Sequence, residues 1–198
     1  MPYMVRVTHF PALGQMAQLK TFLEAQVGRR KAAGYRTALS RTFLGSDGPE
    51  FKLSFMFEDL AGYEAWRGDQ DPGVGAQMLP LLARYGHQEL LKPLLPAAVS
   101  GEPYADIVRG EWRPAAGKLA ELRDAVVQNV GELQAAGIRA NVFVPVAGPP
   151  MVVTYRFLAT ISELDTRPPW TAAQAARFSG HLASPPVTSV NEMLIPWQ

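Results

Sequence analysis

The stretch Ala32-Ala33-Gly34-Tyr35-Arg36 returns as Ala135-Ala136-Gly137-Ile138-Arg139, 103 positions later (135 minus 32). The same spacing relates Pro11-Ala12-Leu13-Gly14 to Pro114-Ala115-Ala116-Gly117. An ungapped match across a predicted strand, helix and second strand indicates two copies of one unit, each of roughly 95 residues. The repeat therefore predicts the same order of elements in both copies.

Each copy has the pattern of a strand, a helix, two strands, a second helix and a last strand. The spacing of Leu19, Leu23 and Val27 is that of one helix face, and Gly34 follows where a left-handed cap is expected. In the first copy the other predicted elements are strands Met4–Phe10, Tyr35–Leu44, Phe51–Phe57 and His87–Leu91, and a second helix, Leu60–Tyr85. In the second copy they include strands Ile107–Arg113 and Thr188–Ile195 and a helix, Thr171–Leu182. Phe51, Leu53, Phe55 and Phe57 are aligned with Met151, Val153, Tyr155 and Phe157.

This order is that of the ferredoxin-like split βαβ unit, in which two helices cover one sheet face and leave the other bare. Two fused copies cover their bare faces by packing sheet on sheet. The predicted fold class is therefore α+β, with two tandem ferredoxin-like (βαββαβ) repeats forming an intrachain dimeric α/β barrel. The predicted domains are repeat 1 (1–93), a linker (94–103) and repeat 2 (104–198).

Composition excludes several function classes. Among 198 residues, Lys and Arg total 19, Asp and Glu total 18, and the net charge is +1, which gives no electrostatic footprint for nucleic acid or an anionic membrane. With no cysteine, disulfides and thiol catalysis are excluded. We also expect no metal site, because no paired histidines have ligand spacing. Without a visible signal peptide or apolar span, we expect a cytoplasmic protein.

Short motifs in the first copy carry a family resemblance. They are Phe57-Glu58-Asp59-Leu60 followed by Tyr63 and Trp66, then Asp71-Pro72 before an apolar helix, then Leu90-Leu91-Lys92-Pro93. With these the chain resembles the dimeric α/β-barrel superfamily, within it the NIPSNAP proteins and the antibiotic biosynthesis monooxygenases (ABM). The resemblance implies a barrel with an internal cavity. NIPSNAP proteins have no settled enzymatic activity, whereas the wider superfamily includes cofactor-independent quinone-forming monooxygenases, haem-degrading monooxygenases and chlorite dismutase-like haem proteins.

Strand alternation assigns side chains to two faces of each predicted sheet. The face expected under the helices carries Val5, Val7, Leu53, Phe55 and Phe57. The opposite face carries Arg6, Thr8, Arg36, Ser40, Lys52, Ser54 and Met56 in the first copy, and Arg109, Arg139, Thr154 and Arg156 in the second. Guanidinium groups on that face predict contact with a planar or anionic small molecule, through Arg6, Arg36, Arg109 and Arg139.

The same arginines admit a structural interpretation. In a ferredoxin-like sheet the last strand is next to the first, so Glu89 can pair with Arg6 and Glu192 with Arg109. Trp66 and Trp170 hold matching positions before or within the second helix. They are predicted either to be large apolar anchors that close one barrel mouth or to form a wall on which an aromatic substrate stacks.

His9, His87 and His181 are the only imidazoles and hence the candidate general bases. A cationic cap at a helix C-terminus is the structural alternative for His87 and His181. In the haem degraders of the resembled superfamily, an Asn on the first strand acts with a Trp and a His. The resemblance would assign these roles to Trp66 or Trp170 and to His87 or His181. Neither first strand here contains an Asn, and His9 is the nearest polar substitute.

Three functional hypotheses follow. The first is a small-molecule-binding barrel of the NIPSNAP or ABM type; if it is an enzyme, it oxygenates an electron-rich aromatic substrate without a cofactor. The second is an interaction protein whose interior is packed with side chains. The third is a haem protein with an axial histidine. A homodimer is a further expectation, because ferredoxin-like sheets leave helices and edges available.

Overall fold

The computed structural model describes residues 2–45, 48–96, 104–165 and 170–197. The chain divides into two compact units: unit 1 comprises Met1–Leu91 with Glu192–Gln198, and unit 2 comprises Lys92–Asn191. The predicted turn residues Ser46 and Asp47, and linker residues 97–103, lie outside the described residues. The repeat boundaries at 93 and 104 stay a prediction.

The first copy follows the predicted order of elements. They are β1 (Tyr3–Pro11), α1 (Met16–Ala32), β2 (Arg36–Leu44), β3 (Glu50–Phe57), α2 (Leu60–Gly68), α3 (Pro72–Met78), β4 (Leu82–Arg84) and β5 (Gln88–Pro93). β1 pairs antiparallel with β3 and with β5, and β2 pairs antiparallel with β3. The order β2-β3-β1-β5 is that of a ferredoxin-like sheet.

One face of this sheet, called the helix face of unit 1, packs against α1 and α2. Val5, Leu53, Phe55 and Phe57 are buried there with Leu19, Leu23 and Val27 of α1. Val7, the remaining member of the predicted apolar set, is partly buried against the same cluster. Each fully buried side chain of this size contributes roughly 1.5–3 kcal/mol. Strand alternation therefore assigned the helix face of the first copy correctly.

The second helix of the first copy is shorter than predicted. Instead of one helix over Leu60–Tyr85, α2 ends at Gly68, α3 begins at Pro72, and β4 follows a 3₁₀ turn. Pro72 disfavours helical backbone at Asp71, whose ψ is 114°, and the Asp71 carboxylate caps the new helix by accepting from the Gly73 N–H at 2.7 Å. Residues of β4 then pair with the end of β1, Leu82 opposite Pro11.

The second copy repeats the architecture. Its elements are β6 (Asp106–Trp112), α4 (Leu119–Ala135), β7 (Ala140–Pro145), β8 (Val152–Leu158), α5 (Ala172–Phe178) and β9 (Val187–Ile195). β8 pairs antiparallel with β6 and β7, and Val126 and Val130 of α4 pack on Val142 and Val152. The predicted fold class, α+β with two tandem ferredoxin-like repeats, is confirmed. In the described part of the chain, no helix is long and apolar enough to span a membrane.

The register of β8 differs by one residue from the alignment predicted above. Arg6 lies opposite Ser54, whereas Arg109 lies opposite Tyr155, so Ser54 corresponds to Tyr155 at an offset of 101 (155 minus 54) and not 100. Because successive strand residues point to opposite faces, this slip exchanges the two faces. Thr154 therefore shares a face with Trp112 of the helix-side core, and its Oγ1 accepts a hydrogen bond from Trp112 Nε1 at 3.0 Å. The predicted faces of Thr154 and Arg156 are wrong, as are those of Val153, Tyr155 and Phe157.

Each unit is completed by residues from the end of a strand. Leu194 and Ile195 pack against the helix-face core of unit 1. Leu94 and Leu95 pack against the core of unit 2, where the Leu94 N–H donates to the Val142 carbonyl at 2.9 Å. Leu194 and Ile195 are part of unit 1, and Leu94 and Leu95 are part of unit 2.

Candidate functional site

The far face of unit 1, opposite its helices, carries Arg6, Thr8, Ser40, Lys52 and Ser54. The register places Arg6 directly between Glu89 and Ser54, and Lys52 between Thr8 and Ser40. Arg6 is 3% exposed and Lys52 5% exposed. Arg6 and Lys52 therefore lie in neighbouring cross-strand rows, both buried and both next to serine or threonine hydroxyls. The alternation of side chains in β1 and β3 predicts this shared face.

Carboxylates accompany both of these cations. Glu50 lies 3.0 Å from Lys52 Nζ, measured from its Oε2. Glu89 is the direct strand neighbour of Arg6, as expected for the structural interpretation of this arginine. Since a buried charge is costly without a counter-charge, Glu50 makes the burial of Lys52 tolerable, and Glu89 brings a carboxylate to the strand position next to Arg6.

The far face of unit 2 carries Arg109, Glu111, Asn141, Phe143 and Tyr155. Arg109, Tyr155 and Asn141 lie in one row across β6, β8 and β7, and they are 6%, 6% and 7% exposed. Phe143 meets the Tyr155 ring edge-on, with centroids 5.6 Å apart. Tyr155 is not among the predicted site residues, because only the corrected register of β8 places it beside Arg109; Asn141 shares the predicted face of Arg139, two residues earlier on the chain.

Arg109 and Glu192 were expected to pair. The structure gives Arg109 an ion pair with Glu111, two residues along β6, and gives Glu192 an ion pair with Arg41 on β2. Glu111 replaces Thr8 of the first copy, so the second copy supplies its counter-charge from the same strand as its arginine.

The two other predicted ligand-binding arginines are less buried. Arg36 begins β2 opposite Met56 and is exposed. Arg139 is half-buried; its carbonyl accepts from the Phe157 N–H at 2.9 Å, and its guanidinium lies 5.8 Å from the ring centre of Tyr104. Tyr104 in turn meets Phe157 edge-on at 4.9 Å. Arg139 therefore extends the aromatic far face of unit 2.

Both predicted tryptophans belong to the helix side. Trp66 is 4% exposed and contacts Phe55 at 4.9 Å and Phe57 at 5.7 Å between ring centres. Trp170 is 36% exposed and stacks on Trp112, with centroids 5.9 Å apart and planes 3° from parallel. Both tryptophans thus pack among aromatic rings on the helix side of their units, away from the arginines, and their role at a barrel mouth stays a prediction.

His9 lies on the helix face of unit 1, opposite Phe51, and is 5% exposed. Burial lowers its pKa from 6.5 to about 4, so the imidazole is neutral at pH 7. The equivalent residue of the second copy, 103 positions later, is Trp112, whose Nε1–H donates a hydrogen bond to Thr154. In the first copy the position equivalent to Thr154 is Leu53, which is apolar and cannot accept a hydrogen bond. His9 Nε2 accordingly has no hydrogen-bond partner among the described residues.

The other two histidines are not equivalent to each other. The His181 carbonyl accepts from the Ala115 N–H at 2.8 Å, just as the Leu81 carbonyl accepts from Ala12 at 2.9 Å, so His181 corresponds to Leu81. His87 is exposed and follows β4, and its carbonyl accepts from the Thr8 N–H at 2.9 Å. His181 directly follows the C-terminus of α5, where its N–H donates to the Phe178 carbonyl at 3.2 Å, as its sequence context predicts, whereas His87 follows β4 and not a helix.

His9 lies on the helix face of unit 1 and His181 follows α5, whereas His87 lies opposite Thr8 at the end of the far face of unit 1, with its ring 6.2 Å from that of Phe10. A haem with an axial histidine therefore stays a prediction. Among the described residues, no group of three or more His, Asp or Glu side chains could hold a metal ion.

Comparison with known proteins shows a likeness of fold. No family model matches the chain, and no curated protein matches its sequence. A candidate monooxygenase from Fusobacterium nucleatum subsp. nucleatum is similar over 98% of this chain and 92% of its own, with TM-score 0.76 and 10% identity. An anthrone oxidase-like protein is similar over 98% and 91%, with TM-score 0.65 and 11% identity. A chlorite dismutase variant from Candidatus Nitrospira defluvii is similar over 97% and 90%, with TM-score 0.54 and 11% identity. At these identities the likeness shows the fold alone, and it agrees with the predicted α+β fold class.

Proposed function

We propose that this chain binds a small planar or anionic molecule through the arginines of its far faces. The observation that carries the proposal is the burial of Arg6 and Arg109, which occupy equivalent positions of the two copies and are 3% and 6% exposed. A guanidinium presents five N–H donors in a planar fork that matches a carboxylate or an enolate. Arg36 and Arg139, at the ends of the neighbouring rows, add further positive charge.

The reaction class that we propose for this site is cofactor-independent oxygenation of an electron-rich aromatic substrate. Proteins of the same fold include a candidate monooxygenase and an anthrone oxidase-like protein. The arginines would stabilise the substrate anion that reacts with O₂. One oxygen atom enters a ring CH₂ carbon as a carbonyl, the other leaves as water with the two hydrogens, and the substrate supplies all four electrons.

An interaction protein with a packed interior is the alternative. The ion pairs Lys52–Glu50 and Arg109–Glu111 favour it, because they give buried cations partners within the protein. The proposals therefore differ in whether an added anion gains access to the arginines.

Binding of 1-hydroxy-2-naphthoate, a planar fluorescent carboxylate, tests the proposal. We expect saturable binding in equilibrium dialysis, weakened at least tenfold when Arg6→Gln and Arg109→Gln are combined. Arg123→Gln, an exposed helix substitution, is the control and should leave binding unchanged. Absence of binding, or equal binding by the double variant, would favour the packed interior. Oxygen uptake with an anthrone, followed by mass measurement of the product, tests the reaction class separately.

A further inference from the structure

One end of unit 1 is built from two segments that run side by side. The first is the end of β1 with the turn that follows it, and the second is the stretch that leads into and out of β4. The end of β1 pairs with β4, and the Ala12 N–H donates to the Leu81 carbonyl at 2.9 Å. Residues 10–16 and 79–87 therefore form one continuous surface, which we call the end patch.

The end patch exposes large apolar side chains. Leu13 is fully exposed, Tyr85 is 81% exposed, and Leu79 and Met16 are 45% and 37% exposed. Single exposed apolar residues are ordinary on a protein surface. Several of them on two adjoining segments are instead typical of a surface that another protein covers.

The end patch is also almost free of charge. Neither 8–23 nor 72–88, the ranges that contain it, includes an Asp or a Glu. Its permanent charge is that of Arg84, whose guanidinium lies 3.8 Å from the ring centre of Phe10 and has no carboxylate partner among the described residues. A guanidinium is weakly hydrated and stacks on rings, so it enters interfaces more readily than an ammonium. Because two copies of one patch carry the same charge, only a nearly neutral patch of this kind can meet itself without strong repulsion.

The equivalent surface of unit 2 lacks these features. Pro114 and Leu182 form the same bridge there as Pro11 and Leu82 in unit 1, which aligns the two ends. The equivalent residues, unit 1 first, are Phe10 and Arg113, Leu13 and Ala116, Arg84 and Ser184, Tyr85 and Pro185. The exposed leucine and tyrosine and the arginine stacked on a ring thus belong to unit 1. One such surface per chain gives a closed two-fold pair when it binds itself, and not an open-ended chain of copies.

We propose that the end patch binds the end patch of a second copy of this chain about a two-fold axis. Leu13, Leu79 and Tyr85 of both copies form the apolar centre of this interface, and Arg84 packs on the exposed tyrosine ring across the axis. Since β4 is three residues long, side chains and not main-chain pairing carry the contact. The end patch is smaller than a standard interface of roughly 20–30 residues a side, so we expect a dissociation constant in the micromolar range. This inference is independent of the ligand binding proposed above.

Sedimentation equilibrium of the unaltered chain over a series of concentrations tests the proposal. We expect the mass to rise from that of one chain towards that of two, and added salt to change the dissociation constant less than about twofold, because the contact is mainly apolar. Leu13→Ser combined with Tyr85→Ser should weaken the dimer at least about tenfold. Leu119→Ser is the control: this side chain of unit 2 is 40% exposed, at the position equivalent to Met16, and its loss should leave the dimer unchanged.

A spin label locates the interface. The chain has no cysteine, so Ala83→Cys gives a single site for a nitroxide on the end patch. Double electron–electron resonance should then give a distance between the two copies below about 30 Å, the diameter of a small domain. Ala183→Cys, at the equivalent position of unit 2, is the matched control and should give a longer distance.

Two results would overturn the inference. The first is a chain that stays monomeric at every concentration, which would leave the end patch without a second copy to cover it. The second is a dimer that the Leu13→Ser, Tyr85→Ser variant retains, because the contact would then use another surface. Near-ultraviolet circular dichroism checks that the variant is folded, and neither result depends on whether the far-face arginines bind a ligand.

Discussion

His9 in unit 1 and Trp112 in unit 2 occupy equivalent positions at the ends of β1 and β6, and both are buried on the helix side. Around Trp112, Gly110 leaves room for the indole and Thr154 accepts from its Nε1. Around His9 the equivalent residues are Val7 and Leu53, which offer neither space nor an acceptor. One backbone position thus carries a satisfied polar group in one unit and an unsatisfied one in the other.

The two copies thus share one backbone architecture, whereas the side chains of each unit pack in their own way. Unit 1 builds its aromatic helix-side cluster from Phe55, Phe57 and Trp66, whereas unit 2 builds its own from Trp112, Trp170 and Phe178. The far faces have diverged in the same manner: unit 1 carries Lys52 and hydroxyls at positions where unit 2 carries Val153 and aromatic rings. Substitutions at paired positions can therefore test each unit against the other.

The largest effect is expected for Gly86→Ala in unit 1. A Cβ at Gly86 would lie 1.8 Å from the Thr8 carbonyl oxygen, and this backbone atom belongs to β1 between its two strand partners. We expect a loss of about 4 kcal/mol or more in the free energy of unfolding. Urea denaturation measures it, with Gly75→Ala as the control, since nothing lies within 4 Å of a Cβ there. A loss below about 1 kcal/mol would show that β1 can shift at Thr8.

His9→Phe should remove a pH dependence that belongs to unit 1. The folded-state pKa of His9 is about 4, below the ordinary 6.5, so the unfolded chain binds the proton more tightly. Stability from neutral His9 is therefore complete above pH 6.5 and declines as the pH falls towards 4, by up to about 3 kcal/mol. Thermal unfolding between pH 4 and pH 7.5 should show a flatter profile for His9→Phe.

The exposed His87 supplies the control for this profile. His87→Asn should keep the full pH dependence of the unaltered chain, because the side chain is exposed. At pH 7, His9→Phe should also stabilise the protein by about 1 kcal/mol, since it removes a buried nitrogen without a described partner. An unchanged slope in His9→Phe would mean that His9 does not set the acid sensitivity.

Gly110→Ala tests the packing and the hydrogen bond of Trp112 in unit 2. Its Cβ would approach Thr154 Oγ1 to 2.7 Å and Trp112 Nε1 to 3.1 Å, so the Trp112–Thr154 hydrogen bond must open. We expect a loss of about 2 kcal/mol in the free energy of unfolding, together with a shift of Trp112 fluorescence. Adding Thr154→Val to this variant should lower the free energy of unfolding little further, because the Trp112–Thr154 hydrogen bond is already broken. If the losses of the two single variants add fully in the double variant, the coupling is contradicted.

The smallest effects are expected at Gly28 of α1 and Gly131 of α4, which are equivalent across the repeat. Neither has an atom within 4 Å of an added Cβ, and alanine is the better helix former. Each Gly→Ala substitution should stabilise by about 0.5–1 kcal/mol, and the two should add. Thermal denaturation of both single variants and the double variant measures this; a destabilising result in one unit alone would show that its helix packs differently there.

Much of the fold could be predicted from local sequence. Gly34 and Gly137 follow their helices with φ of 88° and 79°, a left-handed conformation that glycine adopts readily. The predicted glycine cap is therefore present in both copies. The faces of β1 and β3 were also predicted, because Val5 and Phe55 alternate with polar residues. In the candidate site, the burial of Arg6 and Arg109 agrees with their assignment to the face opposite the helices.

The register of β8 could not be predicted by the same reasoning. The second copy has an alternating apolar pattern, Met151, Val153, Tyr155 and Phe157, that looks like the pattern of Phe51–Phe57 in the sequence. Its strand residues nevertheless lie on the other face of the sheet. Between the paired residues Ala38 and Ser54 lie 16 positions (54 minus 38), and between the equivalent Asn141 and Tyr155 lie 14 (155 minus 141), so the second hairpin is two residues shorter and not the three that the predicted alignment requires. Tyr155 was missed for that reason, and His181 was matched with His87 through a similar local sequence.

By itself the sequence determined the repeat, the order of elements and the helix-side core of the first copy, because these depend on local periodicity and on glycine and proline. Tertiary structure alone decided which side chains meet across strands: Arg109 beside Tyr155, Trp112 bonded to Thr154, and Leu194 on the core of unit 1. Such contacts depend on strand register, which is fixed by the packing of many residues together and changes every contact when it slips by one.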